Sequence, residues 1–199
     1  MKKILLAMFC LFNVNLANAQ TIHFDDLVGD LSPVTDGYNG LNWNISNVTG
    51  VVDVNPFLIP GVDYTGINNN ALFNANGFDG PNITILSSAN GFNFDFLSGF
   101  WSAGLSGTAD IYFEGYINNQ LALTSATYNL TGTSVSPIAL NWKGLDSFRI
   151  ISTTSNVWIA DNFEVNIQTS PVPEPSSAWL LSVGLIGMLT FRKKLLSIK

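Results

Sequence analysis

The side chains of this chain that could do chemistry are nearly all oxygen ligands. Asp25 and Asp26 close "TIHFDD", and Asp161 and Asn162 sit within "VWIADNFEV". If these stretches are the first and last strands of a sandwich, they are neighbours and their oxygens converge. Carboxylates, amides and carbonyls gathered in this way suit Ca²⁺. The competing reading is turn chemistry, in which Asp and Asn accept backbone N–H bonds at strand ends. A second group lies in "DIYFEGYIN", where Asp110, Tyr112, Glu114 and Tyr116 fall on one face at a period of two. Ile111, Phe113, Gly115 and Ile117 fall on the other, the pattern of a half-buried antiparallel strand. Sugars stack their apolar faces on such tyrosines, and Asp110 and Glu114 could bond their hydroxyls. Cross-strand packing is the alternative. Trp43, Trp101, Trp142 and Trp158 are read as core.

Other chemistries are poorly supplied. His23 is the one histidine and Cys10 the one cysteine. Ser-His and Cys-His nucleophiles and His or Cys metal sites therefore lack their parts. No phosphate-binding loop, G-x-S-x-G or H-E-x-x-H motif occurs. Glycoside hydrolysis needs two carboxylates, but fourteen acids offer too many pairs to single one out. The chain is read as non-enzymatic, with a glycan-active enzyme as the distant alternative. Residues 20–174 carry two basic against fourteen acidic residues, a formal charge of −12. Such a surface repels phosphate backbones and excludes nucleic acid as a partner.

These groups must be positioned by a domain held between two processing segments. "MKKILLAMFCLFNVNLANAQ" has a basic start, a short apolar core and an Ala-Asn-Ala site. It is a signal peptide over residues 1–19, cleaved by signal peptidase between Ala19 and Gln20. Phe9 before Cys10 argues against a lipoprotein signal, and cleavage removes the thiol. Residues 20–168 alternate short β-rich runs with Asn, Gly and Asp clusters. Asn39-Gly40, Asn76-Gly77, Asn90-Gly91, Asp36-Gly37 and Asp79-Gly80 mark turns. The expected fold is all-β, a two-sheet antiparallel jelly-roll-like sandwich. "QLALTSATYNL" should pair with the preceding strand across Asn118-Asn119, and "LDSFRIIST" with "NVWIADNFEVNI" as a second hairpin. Four N-x-[ST] sequons, at Asn44, Asn47, Asn82 and Asn129, are read as accidental.

The ending differs in texture. Residues 169–175 form a Pro-rich linker, and Ser176 to Phe191 contain no charge. Those residues would span roughly 24 Å as a helix. That is short for a bilayer of about 30 Å, and snorkelling by Arg192, Lys193 and Lys194 would close the gap. The expectation is a transmembrane helix over 176–191 and a basic cytoplasmic tail over 192–199, with the domain outside.

"VPEPSS", a Leu/Gly-rich stretch and "FRKK" together resemble the PEP-CTERM sorting signal of Gram-negative bacteria. The trailing "LLSIK" is a small departure. The resemblance implies that Pro173, Glu174 and Pro175 are the sorting motif and that Arg192, Lys193 and Lys194 stop transfer. It implies processing by exosortase, a membrane protease-transpeptidase, and an association with exopolysaccharide and biofilm. "FDDL", "GYNGLNW" and "DNFEV" resemble secreted jelly-roll modules akin to carbohydrate-binding and galactose-binding-like domains, some of which carry a structural calcium joining their terminal strands. The resulting expectation is an exported protein, first anchored in the inner membrane and then placed at the cell surface or in the extracellular matrix. A carbohydrate-binding module for exopolysaccharide is the alternative function.

Overall fold

The computed structural model describes residues 19–43, 49–57, 60–75, 77–79, 82–104 and 107–168. Residues 1–18 of the expected signal peptide, the Pro-rich linker with Pro173, Glu174 and Pro175, the expected transmembrane helix over 176–191 and the basic tail lie outside these residues.

Thirteen strands are described: β1 (Ala19–Ile22), β2 (Asp30–Pro33), β3 (Leu41–Asn42), β4 (Thr49–Asp53), β5 (Asn70–Asn74), β6 (Asn82–Ser88), β7 (Phe94–Ala103), β8 (Thr108–Ile117), β9 (Gln120–Thr124), β10 (Tyr128–Thr131), β11 (Ser136–Leu145), β12 (Ser147–Ser152) and β13 (Trp158–Ile167). They form two antiparallel sheets. The first runs β11-β7-β13-β5-β4-β2, with β1 also paired to β13. The second runs β10-β8-β12-β6-β3, with β9 also paired to β8. The architecture is the expected all-β, jelly-roll-like sandwich.

The inner faces of the sheets meet in one aromatic core. Phe96 of β7 stacks on Phe148 of β12 at 4.1 Å, and Trp101 of β7 meets Phe113 of β8 edge-on at 5.0 Å. Trp43, Trp101 and Trp158 are wholly buried, as expected of core tryptophans, and Trp142 packs against the same cluster from the edge strand. The core holds without disulfides because large rings bury much apolar area each. A second, smaller cluster covers part of the first sheet's outer face. Phe73, Ala71 and Ile159 face outward there and are capped by Val54 and Ile67 from the β4–β5 connection. Gly66 lies in that connection at a φ of 98°, and a Cβ on it would stand 2.3 Å from the Phe100 ring.

One strand-pairing expectation needs correction. β12 and β13 are not a hairpin: β12 pairs with β6 and β8 in one sheet, β13 with β1, β5 and β7 in the other. The connection between them crosses the sandwich. Asn74 fixes that crossing, its Nδ2 donating to the Asn156 carbonyl and its Oδ1 accepting from Trp158 N. An apolar alternation shows that a strand has a buried face but not which sheet supplies its neighbours. "QLALTSATYNL" pairs with β8 as expected, in two strands, β9 and β10, beside opposite halves of it. Ser125 fills the gap between them, accepting from Phe113 N at 2.9 Å while its own N donates to the Phe113 carbonyl at 3.0 Å. The β8–β9 turn is as expected, with Asn118 and Asn119 at φ 52° and 58°. A tight two-residue hairpin needs positive φ at both positions, and Asn tolerates it.

Candidate functional site

The first candidate site is built by a break in strand pairing. Along one side of β13, residues 163–166 pair with β1 and residues 159–160 with β5. Asp161 and Asn162 fall between these partners. A bulge there puts Asn162 at φ 53° and lets Phe163 and Val165 return to the core. With no ladder partner on that side, the residues are satisfied by the chain around Gly66–Asn70. Asn68 N donates to Asp161 Oδ2 at 3.4 Å, and Asn162 Nδ2 donates to the Gly66 carbonyl at 3.0 Å. Asp161 Oδ1 accepts from Asn162 N at 2.7 Å. The neighbourhood of β1 and β13 is therefore as expected.

Asp25 and Asp26 lie beyond the end of β1, in a turn rather than in the strand. Asp25 Oδ1 accepts from Asn70 N at 3.1 Å, while Asp26 Oδ1 takes the Tyr38 hydroxyl. Asp161 is only 2% exposed. Burial pushes its carboxyl from 3.8 up to about 6, and the charge of Asp25 adds to the rise against the two backbone N–H bonds. Burial also raises the Tyr38 hydroxyl, with the Asp26 carboxylate beside it contributing. The Asn162 Oδ1 is buried with no hydrogen-bond partner. This corner thus holds a carboxylate that resists ionising, a second carboxylate near it and an orphan amide oxygen. Among the described residues no three His, Cys, Asp or Glu side chains form a metal-holding group. A cation here would draw on Asp25, Asp161, Asn162 and main-chain oxygens. Asn68, Asn70 and Tyr38 were not singled out from sequence; only the run Asn68-Asn69-Asn70 hinted at a turn-rich ligand segment.

The second candidate site is the outer face of the second sheet. Phe113 is fully buried, whereas Tyr112, Glu114 and Tyr116 are half-buried on the opposite side of β8, as the period-two pattern requires. Asp110 shares that face, and its Oδ1 accepts from Asn129 Nδ2 at 2.7 Å. Tyr116 Oη donates to Glu114 Oε2 at 2.9 Å, which raises the tyrosine's pKa. β12 runs alongside and places Arg149 opposite Glu114 and Ile151 opposite Tyr112. The Arg149 guanidinium lies 4.1 Å from the Tyr116 ring centroid. Arg149 escaped the sequence reading, although only it and Lys143 are basic between residues 20 and 174. That scarcity was the available signal. His23 is exposed and in no cluster of metal ligands among the described residues.

Residues 171–194 match the family model for the PEP-CTERM protein-sorting motif. The tail is a PEP-CTERM sorting signal. The chain is thus an exported protein handled by exosortase, with Pro173, Glu174 and Pro175 inside the matched residues. Beyond the PEP-CTERM tail, no curated protein matches the chain. Among solved structures, the sandwich is similar to the N-terminal CBM22-1–CBM22-2 tandem domain of Paenibacillus barcinonensis Xyn10C, at 13% identity and a TM-score of 0.48, covering 82% of this chain and 48% of that one. The chain thus spans about half the length of that neighbour. It is also similar to a family 16 carbohydrate-binding module, at 11% identity and a TM-score of 0.36 over 63% of this chain and 90% of that one. A third neighbour is a CBM28 module specific for non-crystalline cellulose, at 13% identity and a TM-score of 0.36 over 68% and 92%.

Proposed function

We propose that this PEP-CTERM protein is a non-enzymatic component of the cell surface or extracellular matrix whose sandwich contacts exopolysaccharide. One observation carries the glycan reading: the outer face of β8 presents Tyr112 and Tyr116 half-open to solvent, with Asp110 and Glu114 beside them. Sheet faces bind extended chains by this combination, because rings take the apolar side of a sugar while carboxylates take its hydroxyls. The test is a glycan array probed with residues 20–168. Saturable binding that Tyr112→Ala weakens supports the reading, and an array without signal removes it. Turnover of a bound polysaccharide would instead point to the enzyme alternative.

Calcium is a second proposal, resting on the buried Asp161 and the orphan Asn162 Oδ1. Asp25, Asp161 and Asn162 would hold the ion at the junction of β1, β5 and β13. Bound there, Ca²⁺ would supply charge compensation and a staple between the chain's terminal strands. The residues themselves already tie that corner together through N–H bonds to both carboxylates.

For sorting, the stiff Pro-Glu-Pro motif sits directly before the uncharged stretch, where a membrane-embedded enzyme could reach it. The precursor would be anchored in the inner membrane by residues 176–191 until exosortase acts.

A further inference from the structure

Arg149 stands in the middle of the second sheet's outer face, between Glu114 of β8 and Ile85 of β6. A guanidinium directly across an antiparallel pair from a carboxylate is placed to form an ion pair. Here it forms none. Glu114 accepts from the Tyr116 hydroxyl instead, and the guanidinium lies over the Tyr116 ring, 4.1 Å from its centroid. The Nε of Arg149 is buried without a partner, and no hydrogen bond or ion pair reaches its side chain among the described residues. The ring contact holds the planar, always-charged guanidinium in place and leaves its donors without a protein partner. Tyr112 lies two residues from Glu114 on the same face, with the apolar Ile151 and Ile83 in register beside it.

We propose that this face selects carboxylate-bearing sugars: Arg149 grips a uronate carboxylate with its paired N–H groups while Tyr112 supports the ring. A planar carboxylate satisfies two guanidinium donors at once, which a neutral hydroxyl cannot do. The rest of the domain is strongly acidic, so a polyanion gains no long-range attraction from it. Recognition must therefore come from the local fork and the adjoining ring. This inference rests on the glycan reading above and names the class of glycan.

The experiment measures binding of the full-length chain, solubilised in a zwitterionic detergent without a sugar headgroup. The probes are polygalacturonate, alginate and hyaluronate, each beside its carboxyl-reduced neutral counterpart. The expected result is at least one acidic polymer bound tenfold or more tighter than its reduced form. Arg149→Gln should erase that preference, and Arg149→Lys should restore little of it, because the planar fork is lost. Tyr112→Ala should weaken acidic and reduced forms alike. Melting temperatures of the variants, matched to the parent, separate lost recognition from lost fold. Equal binding of acidic and reduced forms, or a preference that survives Arg149→Gln, overturns the inference and leaves the glycan reading standing. Absence of binding by every polymer overturns both. Binding only to phosphatidylglycerol vesicles, lost in Arg149→Gln, overturns both in favour of a membrane contact.

Discussion

Asp161→Asn should reverse its effect on stability with pH. The folded protein raises the Asp161 carboxyl from 3.8 to about 6, chiefly by burial. The folded state therefore holds this proton more tightly than the unfolded chain does. The contribution is fully present below about pH 3.8 and is lost as pH rises through about 6. At about 1.36 kcal/mol per unit, the ionised carboxylate costs about 3 kcal/mol at pH 7.5. Asparagine avoids that cost but gives up one acceptor, worth about 1 kcal/mol. In EDTA the variant should be about 2 kcal/mol more stable than the parent at pH 7.5. Near pH 4 it should be about 0.5 kcal/mol less stable, because the folded parent is then neutral and only the partly ionised unfolded chain offsets the lost acceptor. Urea titrations of residues 20–168 at five pH values measure the difference between the two proteins and cancel every other titrating group. Calcium at about 100 times Kd should add about 2.7 kcal/mol to the parent alone, restoring its lead at neutral pH. A difference between variant and parent that stays flat from pH 4 to 7.5 would refute the burial argument. An identical calcium response in both would refute the ion site.

Phe113→Ala should cost roughly 3–5 kcal/mol, measured by urea unfolding, because it removes a ring packed against Trp101, Phe148 and Tyr128. Tyr112→Ala, on the open face of the same strand, should cost much less. Gly66→Ala should cost about 2–4 kcal/mol, combining a positive φ with overpacking against Phe100. The Asn162 Nδ2 to Gly66 carbonyl bond should weaken with it, seen as faster amide exchange across the β13 bulge. Replacing Pro173, Glu174 and Pro175 with Gly-Ser-Gly should leave a larger, membrane-retained species on a blot of cell fractions. Unchanged size and release would sink that motif's role in processing.

Features that depend on neighbours in sequence were legible without the fold. The sorting signal is a linear order of stiff, apolar and basic segments, so its recognition needs no contacts. The faces of β8 follow from a period of two, because successive side chains on a strand point to opposite sides. The Asn118-Asn119 turn follows from the tolerance of Asn for positive φ. Pairing across the chain was decided elsewhere. Phe148 and Trp158 both advertise a buried face, yet they belong to opposite sheets, because hydrogen bonds from Asn74 direct the chain across the sandwich between them. The sequence placed Asp161 on a strand beside the first one. Only the tertiary structure put it at the gap between β1 and β5, where missing ladder bonds, a bulge and a covering loop bury its charge. Arg149 was visible as a rare base, but its freedom from Glu114 depends on a tyrosine hydroxyl claiming that carboxylate first. Local conformation is written in adjacent residues; which polar groups are left unpaired is settled only when distant strands compete for the same partners.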